Sequence, residues 1–365
     1  MNIPTARNPL SGEELVLRSV INETVDSKRL EVLRSLKSLS NPASQSEISQ
    51  HAGITRQAAS THLAVLRDRG FTRRQDTEIE LTAGGYLLLD VIEQCLRSMS
   101  IEQMSFLTRS EYPLNILREL EKQSLRKSEL QTAISSSPSR PTVRRILSTF
   151  EEYGWTQDNG GYQQITSAGT RILERYSDAE TSIKQLIEKA PWVQRLSPED
   201  ATFPVQELAD AELVVSKPTR PSSALWTAIK LFDRSISRFR VVCSIYNPML
   251  FHGYRGLLEL GVESEAILDL QTYANTTKNP YTHFVVDESA YSNYQPFVLD
   301  YEHTLGIGIY DDRKVAVAGY NEFGDGKHIA MIISSNDKLV EWAISLYESY
   351  RVQAHPPTIQ SSNSI

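Results

Sequence analysis

The sequence predicts an α+β protein in which two tandem copies of a helix-rich unit precede an α/β C-terminal domain. Residues 54–85 recur as residues 138–169, a shift of 84 positions. Apolar side chains in the first half follow the spacing of one helix face. Beyond about residue 205, short apolar runs alternate with helical segments, which is typical of α/β domains.

The composition is that of a globular chain with unevenly distributed charge. The 365 residues suffice for two or three domains, and 40% of them are hydrophobic. The net charge of −7 lies entirely in the second part, because residues 1–190 hold 24 basic and 24 acidic side chains and the remainder holds 14 and 21. The neutral first part can therefore still present a basic face to a polyanion.

The sequence indicates neither a membrane protein nor an oxidising compartment. Its apolar runs are shorter than the roughly 18 residues that a membrane helix needs, and its first residues lack the apolar core of a secretory signal. Cys95 and Cys243 lie far apart and form no CxxC pair, which is typical of buried thiols. We expect a cytoplasmic protein without membrane contact.

The repeat aligns residues of the same kind in the two copies. Among the matched pairs are Leu63 with Leu147, Gly70 with Gly154 and Thr82 with Thr166. The first copy begins with an apolar stripe over 27–39, a helix. Ser44 caps a second helix, with Glu47 as its capping-box partner. Thr55 caps a third helix. A hairpin with a turn at Gln75-Asp76 completes the unit.

This order of elements predicts a winged helix-turn-helix in each copy. We place the first domain at 1–104 and the second at 105–190. With Ala59, Leu63 and Leu66 buried, the opposite face of the third helix is polar at its N-terminal end, where such modules reach base edges. Arginines at its end and in the wing suit phosphate contacts. The predicted DNA-binding residues of the first copy are Thr55, Arg56, Gln57, Ser60, Thr61, Arg67, Arg73 and Arg74.

DNA binding is predicted less strongly for the second copy. Its third helix presents Arg140, Thr142, Arg144 and Arg145, but its wing, residues 157–161, contains neither Arg nor Lys. Two interpretations remain open for this copy: it contacts DNA through the helix, or it serves as a dimerisation or spacer module.

The run from Ile54 to Gly70 and the wing after it resemble the ArsR-type regulators, over roughly residues 25–95. The resemblance implies a third helix that reads DNA. It does not bring a metal sensor, because the CxC-type thiolate pair of the metal-responsive members is absent. We therefore expect no metal and no cofactor.

Long apolar helices connect the parts. Residues 82–104 are too apolar for a solvated helix, and residues 167–189 form an amphipathic one. Both are expected to pack within the chain or on a partner chain, which would give a homodimer. Residues 191–204 contain three prolines and are interpreted as a linker. The end of the chain, 354–365, is expected to be disordered.

The C-terminal domain is placed at 205–353. A helix over 222–236 precedes a strand at 239–245, a helix at 248–260 and a strand at 262–268, which together predict a βαβ unit with parallel strands. A β-meander with turns at Asp311-Asp312 and at 324–326 follows, and then a final helix from Asp337 to Tyr350.

No catalytic motif is present in this domain. A phospholipase D-like chain would carry HxKxxxxD, but none of the histidines has a lysine two positions later. The Gly-x-Gly of LGIGIY has no strand-to-helix context, and GxxxxGK[ST], HExxH and GxSxG are absent. We expect a protein that is not an enzyme.

The segments LLELGVESEAIL, LGIGIYDDRKVAVAGYNEFG and LVEWAISLYESYR resemble the C-terminal domain of FilR-type archaeal regulators, over roughly 205–351. The domain is also distantly similar to the sugar-sensing half of TrmB-like archaeal regulators. The resemblance implies an archaeal transcription regulator with a ligand- or signal-sensing domain. This chain departs from the family pattern by carrying two winged helices.

An effector is expected beyond the carboxyl ends of the strands, the usual crevice of an open α/β sheet. Polar and aromatic residues there make up the predicted site: Tyr246, Asn247, Tyr273, Tyr281 and Tyr291. The other interpretation is that these are ordinary loop aromatics.

The sequence thus predicts a regulator that binds promoter DNA sequence-specifically through its winged helices and senses a small-molecule effector or a protein partner. The alternative is an adaptor whose tandem winged helices bind the transcription machinery without reading DNA sequence. Double-stranded DNA and a second copy of the chain are the expected partners.

Overall fold

The computed structural model describes residues 4–26, 28–39, 42–134, 137–217, 219–278, 282, 291–320 and 330–357. The chain forms two compact units, residues 1–190 and 191–365. Within the described ranges, no helix has both the length and the apolar composition that a bilayer crossing requires.

The first unit consists of two modules with the same order of elements, framed by additional helices. It opens with β1 (Thr5–Arg7), β2 (Glu14–Val16) and α1 (Leu17–Val25). The first module contains α2 (Arg29–Ser38), β3 (Ala43–Ser44), α3 (Gln45–His51), α4 (Arg56–Asp68), β4 (Thr72–Gln75) and β5 (Glu78–Leu81). The helices α5 (Ala83–Leu96) and α6 (Ile101–Thr108) come next. The second module contains α7 (Glu111–Lys122), β6 (Leu125–Arg126), α8 (Lys127–Ala133), α9 (Arg140–Glu152), β7 (Thr156–Asn159) and β8 (Tyr162–Ile165), and α10 (Ser167–Glu188) follows it. The short helix α11 (Ala190–Val193) begins at the last residue of this unit and continues into the second.

The 84-residue shift found in the sequence is reproduced by the elements. It carries α4 onto α9, β4 onto β7 and β5 onto β8, with identical lengths in each pair. Both modules also contain a three-stranded antiparallel sheet, in the orders β3-β5-β4 and β6-β8-β7. The strands β3 and β6 were not predicted, because a segment of two residues is too short to show the alternating apolar pattern of a strand.

The predicted helix caps are present in the first module. The Ser44 hydroxyl accepts from the Glu47 backbone N–H and the Glu47 carboxylate accepts from the Ser44 N–H, which completes a capping box at α3. The Thr55 hydroxyl caps α4 by accepting from the Ala58 N–H at 3.2 Å. These caps satisfy backbone donors that the helices leave unpaired at their first turns.

The helix that follows each hairpin, α5 or α10, makes a close contact with the backbone just before that hairpin. Thr82 caps α5, and its hydroxyl donates to the Gly70 carbonyl at 2.6 Å. Thr166 does the same at α10, donating to the Gly154 carbonyl at 2.7 Å. The third residue of each helix is a glycine whose absent Cβ would overlap a backbone carbonyl of the wing segment.

The connecting helices pack within the chain. Helices α5 and α10 lie against each other, and the Cys95 thiol donates to the Arg175 carbonyl at 3.2 Å. Both cysteines are buried and free, as predicted. Burial raises the pKa of Cys95 to about 11, so this thiol stays protonated.

The second unit is built on a seven-stranded sheet in the order β12-β11-β10-β13-β14-β15-β9. Its elements are β9 (Glu212–Val215), α12 (Ser223–Lys230), β10 (Arg238–Cys243), α13 (Pro248–Glu259), β11 (Glu263–Leu268), α14 (Leu270–Lys278), β12 (Tyr294–Val298), β13 (Leu305–Tyr310), β14 (Lys314–Gly319), β15 (Ala330–Ser334) and α15 (Asp337–Gln353). A short 3-10 helix, Val205–Asp210, precedes β9. Helices α12 and α13 cover one face of the sheet and α15 lies on the other.

Parallel and antiparallel strands meet in this sheet. Strands β10 and β11 are parallel and joined by α13, as predicted, and β12 adds a third parallel strand. Strands β13, β14 and β15 form the predicted meander, with Asp311 and Asp312 at positive φ in the first turn. The predicted turn at 324–326 lies outside the described residues.

Three predictions for this unit differ from the structure. Strand β12 was not among the predicted strands; it forms an edge of the sheet, where its Pro296 is tolerated. Helix α12 ends at Lys230 rather than at 236, and α15 continues to Gln353. Such ends depend on packing more than on local propensity.

The segment 191–204 is not a free linker. Trp192 is fully buried, and its ring lies 5.4 Å from Phe203 and 6.1 Å from Trp342 on α15. The prolines predicted a boundary, and the second unit does begin at Pro191. The aromatic side chains between the prolines nevertheless give this segment enough apolar area to join the core of that unit.

The end of the chain is ordered further than predicted. His355 forms an isolated antiparallel bridge with Val298 at the end of β12, with an N–O distance of 2.8 Å from the Val298 N–H. The disorder predicted for 354–365 is therefore wrong for 354–357, and the remainder of that prediction, 358–365, lies outside the described residues.

The glycine at the third position of α10 is predicted to be required for the second module. In Gly169→Ala the new methyl group meets the Trp155 carbonyl oxygen and the Ile165 side chain, so we expect a loss of about 1–3 kcal/mol. Hydrogen-exchange protection of β7 and β8, followed by mass spectrometry of the full chain, measures this locally.

A matched control is Gly256→Ala on α13, where an added Cβ meets no atom within 4 Å. There the substitution should be neutral or stabilise by up to about 1 kcal/mol. Equal protection of β7 and β8 in Gly169→Ala and in the unchanged chain would contradict the packing described here.

Candidate nucleic-acid interface

Helix α4 has one buried and one polar face. Ala59, Leu63 and Leu66 are buried in the module. The predicted base-reading residues lie on the exposed surface of the first two turns: Arg56, Gln57, Ser60 and Thr61. The helix therefore presents donors and acceptors of the kinds that recognise base edges.

The start of α4 is held by α3. The Gln45 side-chain amide donates to the Arg56 carbonyl at 2.8 Å, and the Arg56 guanidinium donates to the Ser46 hydroxyl at 2.8 Å. Both partners are half-buried at the first turn of α3, and neither was a predicted site residue. The sequence could have indicated both residues, because they directly follow the capping residue Ser44 and so begin the helix beside α4.

The wing arginines lie beside this helix. Ser60, Arg67, Arg73 and Arg74 line one cleft of about 100 Å³ between α4 and the hairpin. The structure thus places three side chains predicted to contact phosphates, Arg67, Arg73 and Arg74, beside Ser60, which was predicted to contact a base.

The charges of these arginines are not equally available. Arg73 forms an ion pair with Glu80 on the neighbouring strand, which offsets its charge. The Arg74 guanidinium instead donates to the Asp76 backbone carbonyl at 2.8 Å. Arg67 lies 3.8 Å from the carboxylate of Asp68, a weak exposed pair. Arg74 is therefore the cation of the wing that a neighbouring carboxylate does not neutralise.

Two of the predicted threonines occupy capping turns. Thr55 uses its hydroxyl to cap α4, and Thr142 is half-buried with its hydroxyl 2.8 Å from that of Ser139, the N-cap of α9. Their side chains position the helix starts, so any contact to DNA comes in addition to this role.

The second module presents a basic helix beside an acidic turn. Arg140, Arg144 and Arg145 are exposed on α9. In the wing, the Asp158 carboxylate accepts from the Gly161 N–H at 2.8 Å and lies 3.5 Å from the Lys127 ammonium. Lys127 is a cation near this wing that was not among the predicted site residues, because it lies in α8 rather than in the hairpin.

Among the predicted effector residues, the structure places Tyr246, Asn247 and Tyr273 after the carboxyl ends of the neighbouring parallel strands β10 and β11, and it separates Tyr291 from them. Tyr246 and Asn247 follow the end of β10, whereas Tyr291 precedes the start of the parallel strand β12, so they lie at opposite ends of the sheet. Asn247 caps α13 through the Met249 and Leu250 N–H groups, and Tyr273 packs partly buried against the core. Tyr281 lies outside the described residues.

Known families match three parts of the chain. Residues 26–73 match the bacterial regulatory proteins of the arsR family, and residues 221–353 match the middle domain of the methanogenesis regulatory protein FilR1. Residues 101–185 match the HVO_A0261 N-terminal domain. The chain is therefore a transcription regulator with a DNA-binding helix-turn-helix domain. Over these residues it is similar to the ArsR-type helix-turn-helix and to the FilR1 middle domain, the two resemblances stated from the sequence.

Similar solved structures cover different shares of the chain. TrmBL2, described as an archaeal chromatin protein with a novel mode of DNA binding, is 12% identical and covers 73% of this chain and 99% of its own, with a TM-score of 0.31. NucT from Helicobacter pylori is 16% identical, and the phospholipase D family member Nuc from Salmonella typhimurium is 15% identical. Each covers 40% of this chain and 98% of its own, with a TM-score of 0.32. TM-scores this low establish no shared function, and no curated protein matches.

Arg67 and Arg74 are predicted to contribute to the salt dependence of DNA binding. Each cation that contacts a phosphate releases a counterion, so Arg74→Ala and Arg67→Ala should each reduce the slope of log K against log salt by about 1. Fluorescence anisotropy with a labelled duplex over a series of salt concentrations measures the slope.

The control is Arg255→Ala in the second unit, where the guanidinium pairs with Glu259 on the same helix. It removes the same charge from the chain and should leave the slope unchanged. An Arg74→Ala slope equal to that of the control would show that the wing does not contact phosphates.

Proposed function

We propose that this chain regulates transcription by binding promoter DNA sequence-specifically through its first module and by sensing a ligand or signal in its second unit. The observation that carries the proposal is the polar face of α4 beside the arginine-lined cleft of the wing. It acts in the cytoplasm of an archaeal cell, as a homodimer, on double-stranded DNA.

Each part of this surface has a physical role in the proposed complex. Arg56 and Gln57 lie at the N-terminal end of α4, where a guanidinium pairs with guanine and a carboxamide with adenine. Arg67 and Arg74 contact the phosphates on either side of the groove and set the orientation of the helix. Phosphate contacts supply affinity, and the contacts of the first two turns supply sequence preference.

The second module contributes phosphate contacts through α9. Arg144 and Arg145 are exposed there, whereas the wing turn, residues 157–161, carries no cation and its Asp158 pairs with Lys127. A module of this kind strengthens binding at all sequences alike and extends the length of DNA that the chain covers.

The second unit regulates this binding. An effector shifts the occupancy of a promoter only if it binds the DNA-competent state with a different affinity from the other state. The βαβ half of the sheet and the meander give this unit a rigid frame on which a ligand site can be positioned.

The second candidate function is an adaptor that binds the transcription machinery through its modules. The acidic turn of the second wing favours it for that module, because a protein surface tolerates an acidic residue that DNA does not. The two candidates differ in whether the preference for one DNA sequence depends on α4.

Arg56→Ala tests the primary proposal. An operator is first selected from random duplexes with the full chain, and affinity is then measured for that operator and for a scrambled duplex. We expect a loss of about 1–3 kcal/mol on the operator with little change on the scrambled DNA, because a base contact is removed. Genome-wide occupancy with and without the substitution extends the test to the cell.

Arg56→Lys is the matched control, since it keeps the charge and loses the bidentate geometry. It should retain the affinity for scrambled DNA and lose most of the operator preference. Equal affinity of the unchanged chain for operator and scrambled DNA would refute sequence-specific regulation and favour the adaptor.

The double substitution of Arg144 and Arg145 by Ala tests the second module. If α9 contacts phosphates, operator and scrambled duplexes lose affinity by the same factor and the salt slope falls by about 2. Unchanged affinity for both duplexes would instead assign this module to protein contacts or to spacing.

A further inference from the structure

A polar cleft of about 610 Å³ opens in the second unit, at the end of the sheet where the parallel strands have their carboxyl ends. One wall is the segment 301–305, which leads from β12 into β13. The second wall is the segment 197–202, and the third is the C-terminal half of α15, from Trp342 to Gln353. The volume is that of a site for a small molecule.

Hydrogen bonds hold the walls together. The Trp342 indole N–H donates to the Asp200 carbonyl at 2.9 Å, which ties α15 to the segment 197–202. The Tyr301 hydroxyl donates to the Gln353 side-chain oxygen at 3.1 Å, which ties α15 to the loop before β13. The cleft is therefore shaped before any ligand enters, which reduces the entropy that binding costs.

The charge of the cleft is acidic. Glu199, Asp200 and Glu302 line it, and the lining residues in the described part of the chain include no Lys or Arg. The Asp200 carboxylate accepts from the Ser197 hydroxyl at 2.8 Å, and burial raises its pKa. A cation beside this carboxylate would compensate the charge that burial disfavours.

His303 contributes a buried donor to the same cleft. Its side chain is 8% exposed, and its Nδ1 accepts from the Leu305 N–H at 3.4 Å, so the ring proton lies on Nε2. Burial lowers the pKa of His303 to about 4, which keeps the ring neutral. Nε2 is buried and has no hydrogen-bond partner in the described residues. A buried donor without a partner is costly, and a ligand oxygen would satisfy it.

Aromatic rings complete the lining. Tyr350 stacks on His303 with the ring centroids 5.1 Å apart, and the Tyr301 ring is 41% exposed at the mouth. Aromatic faces beside carboxylates attract organic cations. A bare metal ion fits less well, because in the described part of the chain no three His, Cys, Asp or Glu side chains are grouped as a metal site would require.

We propose that this cleft binds a small organic cation, an amine or a guanidinium, that also carries a hydrogen-bond acceptor for His303. The inference rests on the proposed sensing role and names its site and its class of ligand. Asp200 holds the cation, Tyr301 and Tyr350 flank it, and His303 Nε2 donates to the acceptor. In the sequence, the wall 197–202 lies in the first part of the second unit, which begins at Pro191.

Calorimetric titration of the full chain with arginine amide and with agmatine tests the proposal. The two compounds share the guanidinium and the amine, and only arginine amide carries a carboxamide oxygen. We expect both to bind, arginine amide about tenfold more tightly because of the hydrogen bond to His303. Succinate, which is anionic, should not bind.

Two variants separate the contributions. Asp200→Asn should weaken both compounds about tenfold or more, because it removes a charge-assisted hydrogen bond. His303→Phe keeps a ring against Tyr350 and should abolish the advantage of arginine amide over agmatine, whereas His303→Gln, which retains a donor, should restore part of it. Glu259→Gln, an exposed change on α13, should alter neither affinity.

The outcomes distinguish this inference from the proposed function. Binding that follows the predicted order and changes the affinity for the selected operator supports both. Binding without a change in operator affinity supports the cleft and contradicts its sensing role. If neither compound binds, or if Asp200→Asn leaves their affinity unchanged, the proposed ligand site is wrong. Operator recognition through Arg56 is tested separately by the Arg56→Ala measurement.

Discussion

The close approach of a helix to the wing segment before it is the constraint on which the DNA-binding unit depends. At Gly85 and again at Gly169, the first turn of the following helix lies directly on a backbone carbonyl, where a Cβ would not fit. The capping threonines Thr82 and Thr166 tie the same point to the preceding glycine carbonyl. Because the hairpin leads straight into this contact, the contact fixes where the wing lies relative to α4, and so where Arg74 is placed.

The two modules share this frame and differ in what they display on it. In the first, Arg73 pairs with Glu80 while Arg74 keeps an uncompensated charge, next to the polar face of α4. In the second, Asp158 organises the turn and pairs with Lys127. A common backbone thus carries one surface suited to reading bases and another suited to general attachment, because exposed side chains can change without disturbing the buried apolar positions that hold the helices.

Tertiary structure also decided which side of the second unit has room for a small molecule. Of the residues expected to form a site, Tyr291 lies at the opposite end of the sheet from Tyr246 and Tyr273, and Asn247 is used as a helix cap. The polar cleft instead combines the 197–202 segment, the loop before β13 and the last helix. These segments are far apart in the sequence, and one of them was interpreted as a linker, so no local pattern connected Asp200 with His303.

The sequence by itself determined the parts that rest on local chemistry. The 84-residue repeat, the caps at Ser44 and Thr55, the buried stripe of α4 and the parallel β10–α13–β11 unit all follow from periodicity, capping and turn preferences that act over a few residues. Only the tertiary structure decided that Trp192 joins a core, that β12 extends the sheet and that Arg73 is neutralised while Arg74 is not. Each of these depends on a neighbour that is distant in the chain or lies across a strand pair, and the free energy of such contacts comes from burial and charge pairing, which the local sequence does not encode.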